Sequence, residues 1–377
     1  MKLEQTQWTN GAWMPTISGK LRQAQLVLLF GAPSLLRQQI PLLELKQAYP
    51  DAHIVGCSTA GEIAGTQVCD DSLVATAIHF EHTTLHGLRL KLADGMSPLD
   101  AGKIISQHLD KQGLIHVFVL TNGVSISGSP LVAGLATYLP PYVTITGGLA
   151  GDGIRYQETF VLWESELETK CVAVIGFYSD RLLIGCASLG GWDPFGPHRL
   201  ITRSDENVLY EIDNKPALPL YKTYLGEHAQ GLPATGLLFP LCLSSTLDRA
   251  EQVVRTIISV DEATQSITLT GDVPQGTYVR LMRANLDRLI DGAVGAAKVC
   301  SEMTNTTPDL AILISCVGRK LVLKDRIGEE VLGVRKIFGP DPVFTGFYSY
   351  GEISPFIPGA QCKLHNQTMT ITTFSER

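Results

Sequence analysis

The chain has 377 residues, of which 45% are hydrophobic and 18% are charged, and its formal net charge is −7. This composition is ordinary for a globular protein, and the length suits two domains or one large domain with a substantial buried core. Lysine and arginine form no cluster along the chain, so the dense positive surface that nucleic acid binding requires is not expected.

Two further features of the sequence concern location. The chain starts MKLEQTQWTNGAW, without the basic segment and apolar run of a secretory signal, and its longest apolar stretches are shorter than a membrane span. The eight cysteines lie at least twelve positions apart, which indicates reduced thiols rather than a zinc site. We therefore expect a soluble, cytoplasmic protein with no membrane partner.

One pattern occurs three times along the chain. A short apolar strand ends at a turn, an amphipathic helix follows, and a second apolar strand enters a glycine-rich loop. The first strands are predicted at residues 26–30, 116–120 and 311–315. The helices are predicted at residues 34–48, 130–139 and 324–337, and the second strands at residues 53–55, 143–146 and 343–345.

These units predict the fold class. Unbroken apolar runs are typical of strands covered on both faces, as in parallel sheets with crossover helices. Between the units, residues 73–80 are predicted to form a hairpin with residues 85–92, and residues 171–177 with residues 181–189. The prediction is an α/β protein with mixed sheets built from repeated strand–helix–strand units and added antiparallel hairpins.

The last part of the chain contains a long helix and a closing strand. The helix is predicted at residues 283–300, and its apolar face consists of Leu286, Ile290, Ala293, Ala297 and Cys300. The strand is predicted at residues 369–374, after a turn around Asn366.

The glycine-rich loops resemble one another. GCSTAGEI at residues 56–63 and GFYSYGEI at residues 346–353 share Gly and then Gly-Glu-Ile at the same offsets, and the middle unit has GGLAGDG at residues 147–153. We infer an internal duplication. The matched positions of Glu62 and Glu352 favour a repeated structural role, such as capping a loop through backbone N–H groups, over an acid/base pair.

The first and third of these loops, together with residues 191–218 (GWDPFGPHRLITRSDENVLYEIDNKPAL) and residues 316–331 (CVGRKLVLKDRIGEEV), resemble the FIST family over nearly the whole chain. The resemblance implies an N-terminal extension at residues 1–25. It also implies a FIST N-type sensory domain at residues 26–215 and a FIST C-type domain with a C-terminal strand at residues 216–377.

The same resemblance implies a function. FIST proteins are regarded as bacterial intracellular sensors that bind small ligands in signal transduction. A subset of stand-alone members are haem proteins that sense nitric oxide and regulate a partner. The resemblance therefore implies a small-molecule ligand, possible haem b, and a sensor histidine kinase or a cyclic-di-GMP enzyme as the partner.

The candidate ligand-binding residues follow the predicted strands, because α/β sheets bind ligands where the carboxyl ends of strands open into loops. They are Cys57, Ser58, Thr59, Asn122, Ser125, Asp152 and Arg319. Arg319 could hold an anionic group by a bidentate contact, or it could pair with Asp325, Glu329 or Glu330. The alternative for the loops is that their glycines serve only tight turns and close strand packing.

Two histidines are the candidates for an iron ligand. His198 follows Gly-Pro in the central motif, and His228 is the second choice. Any haem would be bound non-covalently, because the paired-cysteine–histidine attachment sequence is absent. The alternative for each is that a lone histidine makes only hydrogen bonds.

Two other functions stay open at this point. One is an amino-acid-type ligand-binding module that uses the glycine turns and an arginine. The other is a hydrolase or transferase that uses Cys57 or the Glu62/Glu352 pair. The sequence lacks phosphate-loop, metalloprotease and kinase motifs, so we expect a binding protein without catalytic residues rather than an enzyme.

Overall fold

The computed structural model describes residues 1–245, 252–356 and 358–377. In these residues the first strands along the chain are β1 (Lys2–Thr9), β2 (Ala12–Met14), β3 (Leu26–Gly31), β4 (His53–Ser58), β5 (Glu62–Ala64), β6 (Gln67–Cys69) and β7 (Leu73–His79). The next are β8 (Thr84–Lys91), β9 (Leu114–Thr121), β10 (Thr144–Leu149), β11 (Val161–Trp163), β12 (Glu166–Glu168), β13 (Cys171–Tyr178) and β14 (Leu182–Leu189).

The strands of the remaining chain follow in the same order. They are β15 (Asp193–Asp205), β16 (Val208–Ile212), β17 (Lys215–Pro216), β18 (Leu241–Ser244), β19 (Gln252–Arg255), β20 (Ile257–Asp261), β21 (Ser266–Leu269) and β22 (Tyr278–Arg283). The last are β23 (Leu310–Cys316), β24 (Val343–Ser349), β25 (Gly351–Pro355), β26 (Cys362–His365) and β27 (Met369–Glu376).

The described helices are α1 (Pro33–Leu36), α2 (Gln39–Ala48), α3 (Pro98–His108), α4 (Gly128–Ala136), α5 (Ala217–Leu225), α6 (Leu286–Thr304), α7 (Val317–Leu323) and α8 (Ile327–Phe338). Short 3-10 helices occur at Gly226–Gly231, Ala234–Leu238 and Lys324–Arg326. No helix in the described ranges has the length and apolar character needed to cross a membrane.

Three sheets share one arrangement, which confirms the predicted fold class. Each contains a parallel pair joined by helices, namely β3–β4, β9–β10 and β23–β24. We call the second strand of each pair the return strand. The first strand of each pair also forms hydrogen bonds, on its other edge, with an antiparallel strand that comes later in the chain, namely β7, β13 or β27. The three repeats occupy residues 2–79, 84–178 and 182–376.

The repeats exchange hairpins in a ring. Hairpin β5–β6 of the first repeat pairs with β24 of the third, hairpin β25–β26 of the third pairs with β10 of the second, and hairpin β11–β12 of the second pairs with β4 of the first. The strand orders are therefore β12-β11-β4-β3-β7-β1-β2, β26-β25-β10-β9-β13-β8 and β14-β27-β23-β24-β5-β6. Each of the three sheets needs a strand from another repeat to reach its full width.

The two long hairpins predicted from the sequence are wrong. β7 and β8 are consecutive in the chain but belong to different sheets, as do β13 and β14. In each case the first strand, β7 or β13, is the last strand of its repeat. The following strand, β8 or β14, is the first strand of the next repeat and belongs to the sheet of that repeat. Two apolar runs joined by a short turn look the same in sequence whether they pair with each other or with other strands.

Helix α6 is close to its predicted position, and three of the five residues on its predicted apolar face, Ala293, Ala297 and Cys300, are buried. Asn285 caps its start by accepting a hydrogen bond from Arg288 N, and it ends at Asn305, whose left-handed conformation stops the helix. The buried residues are Leu289, Gly292, Ala293, Ala296, Ala297 and Cys300. The predicted Leu286 and Ile290 are only half-buried, because the residue pattern allowed two overlapping apolar faces.

A separate module is inserted into the third repeat, between β14 and α6. It contains β15–β22 and α5, and its strands form an eight-stranded sheet with its own apolar core. Ile201, Leu209, Leu218, Ile267 and Leu281 are fully buried members of that core. We call residues 193–283 the inserted module and the three repeat sheets with their helices the repeat core.

The first glycine of each predicted glycine-rich loop lies inside the return strand, against the backbone of the parallel partner strand. Gly147 pairs with Val119, and Gly346 pairs with Leu313. At each position an added Cβ would overlap the carbonyl oxygen of that partner, and Gly56 stands in the same relation to Leu29. Close strand packing therefore accounts for the repeated first glycine.

We predict that Gly346→Ala destabilises the protein by about 1–3 kcal/mol or more, because the new methyl group would overlap the backbone of Leu313 and overpacking is costly. Gly328→Ala on α8 is the matched control. An added Cβ there meets nothing within 4 Å, so the change should be neutral or stabilising by up to about 1 kcal/mol. Chemical denaturation of both variants measures the difference, and equal stabilities would contradict the explanation.

Candidate functional site

The loops after the three return strands meet at one place, which we call the loop centre (residues 58–62, 149–153 and 348–352). Backbone hydrogen bonds join all three loops: Ala60 N to Tyr348 O (2.8 Å), Gly151 N to Ser58 O (2.8 Å) and Tyr350 N to Leu149 O (3.2 Å). The carboxyl ends of these strands, where α/β folds commonly bind ligands, thus contact one another.

Glu62 is buried in the loop centre, and both of its carboxyl oxygens accept hydrogen bonds from other residues of the chain. It accepts hydrogen bonds from the Thr59 hydroxyl and from the N–H and hydroxyl of Ser72, the last two at 3.2 and 2.7 Å. Burial raises the pKa of Glu62 to about 7, although these hydrogen bonds oppose the rise.

Glu352 repeats this arrangement in the third repeat. It accepts hydrogen bonds from the Ser349 hydroxyl (2.6 Å) and from the N–H and hydroxyl of Thr368 (3.2 and 2.9 Å). Burial raises the pKa of Glu352 to about 8. The matched contacts of the two carboxyl groups support the structural role inferred from the duplication.

The three candidate ligand residues at the end of β4 are buried in or beside the loop centre. Cys57 lies in the apolar core, and burial raises the pKa of its thiol well above the usual value. The Ser58 hydroxyl accepts a 2.8 Å hydrogen bond from Phe160 N, and the Thr59 hydroxyl binds Glu62. The polar groups of Ser58 and Thr59 are thus engaged inside the protein.

Asn122 organises the loop after β9. Its Oδ1 accepts hydrogen bonds from Val124 N (2.9 Å) and from the N–H and hydroxyl of Ser125 (2.7 and 2.9 Å), while Nδ2 donates to Thr159 O (2.6 Å). Asn122 is buried, whereas Ser125 is exposed. The side chain of Asn122 has its hydrogen bonds satisfied by the loop itself.

Asp152 holds the loop after β10 in the same way. Its carboxylate accepts hydrogen bonds from three successive backbone N–H groups, those of Tyr156, Gln157 and Glu158, at 2.8 to 3.1 Å. The Tyr350 hydroxyl donates a further bond to Asp152 Oδ1. Asp152 therefore connects the second and third repeats.

Arg319 forms a buried ion pair with Glu330, one of the three partners considered from the sequence. Its Nη2 lies 2.7 Å from Glu330 Oε2, and both side chains are inaccessible to solvent. The guanidinium also donates to the carbonyl oxygens of Gly190 and Leu289, at 2.5 and 2.7 Å. These contacts engage Arg319 in the structure of the third repeat.

The two candidate iron ligands lie apart from the loop centre. His198, on β15, is half-buried and lines a cavity of about 200 Å³ together with Arg280 and Met282. His228 is exposed on the 3-10 helix at Gly226–Gly231, where its ring lies 5.2 Å from that of Phe239. A pocket for a small organic molecule usually has about 300–1,000 Å³, so the surroundings of His198 do not fit a haem.

A larger cavity of about 550 Å³ lies between the inserted module and the repeat core, and we call it the junction cavity. Three parts of the chain line it: helix α4 of the second repeat, the inserted module, and strand β26, which the third repeat contributes. Its apolar lining includes Val132, Ala133, Ala136, Leu243, Val253 and Leu364. Ser129, Arg255, Asp272, Thr277 and Lys363 are among the polar residues of the same wall.

Arg255 is the unusual residue of this cavity. The residue is only 6% exposed, and the acceptors of its hydrogen bonds among the described residues are all neutral. Nη1 donates to Leu364 O (3.0 Å) and Asn366 Oδ1 (3.2 Å), whereas Nη2 has one long contact of 3.5 Å, to the Ser129 hydroxyl. Burial lowers the pKa of Arg255 to about 10, with Asp272 and Glu352 opposing the change.

Sequence reasoning missed Arg255. The residue interrupts an apolar run, Val-Val-Arg-Thr-Ile-Ile at residues 253–258, and an arginine inside such a run was the available signal. Its partners Leu364 and Asn366 are 109 and 111 residues away, so the local pattern did not show them. No cluster of three or more metal-binding side chains occurs in the described part of the chain.

Comparison with known proteins identifies related sequences. The family model of the FIST N domain matches residues 25–215, and that of the FIST C domain matches residues 217–355. Domains of this family are generally taken to be small-ligand sensors in signal transduction. The chain is also 23% identical to the uncharacterized protein MJ1623 of Methanocaldococcus jannaschii over 334 residues, 82% of this chain and 62% of that protein. The chain thus spans less than two thirds of that relative.

The raised pKa values of Glu62 and Glu352 predict a stability that falls with rising pH. The folded protein holds these protons up to about pH 7 and 8, whereas an unfolded glutamate releases its proton near pH 4.5. Between those pH values the folded state binds more protons than the unfolded state. Each carboxyl group therefore lowers the free energy of unfolding by up to about 1.4 kcal/mol for every unit by which the pH rises.

The effect should be clearest between pH 6.5 and 8. Below pH 6.5 the buried His116 and His365, whose pKa values fall to about 3 and 4, change stability in the opposite direction. We expect the double variant Glu62→Gln/Glu352→Gln to show a flatter urea-unfolding profile against pH, and Glu158→Gln, at an exposed site, to keep the native slope. A native protein with a flat profile above pH 6.5 would show that the two carboxyl groups are not protonated.

Proposed function

The chain belongs to the FIST family, and we propose that it is a signal-transduction sensor whose small-molecule ligand binds in the junction cavity. The observation that carries the proposal is Arg255, a buried cation with neutral partners in the wall of a mostly apolar cavity. A volume of about 550 Å³ lies within the range of small-molecule sites. Such sites often lie between domains and combine an apolar lining with a few polar groups.

The position of the cavity supports a sensing role. A ligand there would touch α4, the inserted module and β26 at once, so its binding would favour arrangements in which these three parts are close together. A ligand shifts a conformational equilibrium by as much as its affinity differs between the two states. Contacts to separate parts of the fold are one source of such a difference, and a partner protein could detect the result.

We propose binding rather than catalysis as the activity. The most reactive candidate, Cys57, is buried with a raised thiol pKa, which disfavours the nucleophilic thiolate. Glu62 and Glu352 direct their oxygens to hydroxyl and N–H groups of the chain. These contacts support structural roles for all three residues.

The cavity proposal has a direct test. Ala133 is exposed on α4 and lines the junction cavity, so Ala133→Trp should fill part of the cavity without disturbing the core. We expect compounds that raise the melting temperature of the native protein in a small-molecule screen to lose this effect in the variant. Leu43→Trp, at an exposed site on α2, is the control and should respond as the native protein does. Compounds that stabilise all three proteins equally would place the ligand elsewhere.

Haem is the alternative ligand that the family resemblance implies, with nitric oxide as the signal and a sensor histidine kinase or cyclic-di-GMP enzyme as the partner. The described residues around His198 and His228 do not favour it, because one histidine faces a small cavity and the other is exposed. We therefore expect added hemin to give no stoichiometric Soret band. A band that shifts with nitric oxide and is lost in His198→Ala would instead establish a haem sensor.

A further inference from the structure

We propose that the ligand of the junction cavity is a singly charged anionic amphiphile, with an acid headgroup on Arg255 and an apolar body along α4. This inference rests on the proposed function and adds the chemical class of the ligand. It concerns Arg255, Ser129 and the apolar residues Val132, Ala133, Leu243 and Leu364.

The charge of Arg255 requires a partner. Burying a charged group without a counter-ion is costly, and buried charges in proteins are normally paired. In the part of the chain that the structure describes, Arg255 forms hydrogen bonds to neutral oxygens and no ion pair, and Asp272 and Glu352 offset the cost of burying its charge only in part. By contrast, the other deeply buried arginine considered above, Arg319, is paired with Glu330 at 2.7 Å. An acidic group on the ligand would give Arg255 the equivalent partner.

The geometry indicates where that group would bind. Among the described residues the Nη2 atom has only the 3.5 Å contact to Ser129 Oγ, so its two N–H groups are poorly satisfied there. Both Arg255 and Ser129 line the cavity. A carboxylate could accept from the guanidinium and from the Ser129 hydroxyl, in the planar arrangement that arginine favours.

The apolar residues of the lining indicate that the remainder of the ligand is apolar. Beside the headgroup, α4 presents Val132, Ala133 and Ala136, and the inserted module presents Leu243 and Val253 on the same cavity. Removing an apolar chain from water onto this surface contributes about 25 cal/mol per Å² buried. The charged residues that line the cavity are Arg255, Lys363 and Asp272, so its described lining carries a formal charge of +1. One carboxylate balances this charge, whereas a doubly charged phosphate exceeds it, which favours a carboxylate.

Four probes with the same chain length separate these contributions: octanoate, octyl phosphate, octanol and 2-aminooctanoate. Calorimetric titration of the native protein should show octanoate binding most tightly. Octanol reports the apolar contribution alone, and 2-aminooctanoate reports the effect of an added ammonium group. If octyl phosphate, octanol or the amino acid binds at least as tightly as octanoate, or if no acid binds, the inference is wrong.

Variants of Arg255 test the headgroup contact. Arg255→Gln should weaken octanoate binding about tenfold to a hundredfold, the usual worth of a hydrogen bond to a charged group, and leave octanol binding unchanged within about twofold. Arg255→Lys keeps the charge but loses the bidentate geometry, so it should restore part of the affinity. Arg203→Gln, at an exposed ion pair with Glu211 on the inserted module, is the matched control. Full octanoate affinity in Arg255→Gln would overturn the inference.

Failure of this inference is distinguishable from failure of the proposed function. Neutral or cationic compounds that stabilise the protein and lose their effect in Ala133→Trp would leave the junction cavity as the ligand site and exclude an anionic ligand. Compounds whose effect survives that substitution would exclude the cavity itself. Thermal melting of the ligand-free variants shows whether each has folded, and Arg255→Lys serves if Arg255→Gln has not.

Discussion

The backbone hydrogen bonds between each return strand and a hairpin from another repeat are the constraint on which the structure depends. β4 pairs with β11, β10 with β25, and β24 with β5, so the exchange closes into a ring. A repeat without its neighbours would leave a return strand with unpaired N–H and C=O groups at a sheet edge. The regions that match the FIST N and FIST C domains therefore share sheets and depend on each other for their secondary structure.

The ring also decides where a ligand can bind. In an open α/β sheet the carboxyl ends of the parallel strands face a crevice, and polar residues there are free to bind ligands. Here the hairpins leave the return strands at those ends and bring the three loops into contact. Thr59, Asn122 and Asp152 consequently hydrogen-bond within the chain. The junction cavity lies away from the loop centre, where the inserted module packs against the repeat core.

The parts of the fold that the sequence predicted correctly are those determined by local pattern. Each parallel pair was visible as two apolar runs around an amphipathic segment, and the first and third loops were visibly related. The exchange of hairpins was not visible, because a strand pattern records burial and not the identity of the partner strand. The site was missed for the same reason. Arg255 is positioned by hydrogen bonds to Leu364 and Asn366, which are more than a hundred residues away, so the local sequence does not reveal its surroundings.

Those distant partners connect the cavity to the ring. Arg255 Nη1 donates to Asn366 Oδ1, and Asn366 Nδ2 donates to Tyr350 O at 3.3 Å, inside the loop centre. The Tyr350 hydroxyl in turn binds Asp152 of the second repeat. An acid headgroup bound to Arg255 would therefore be linked through Asn366 and Tyr350 to the place where the three repeats meet.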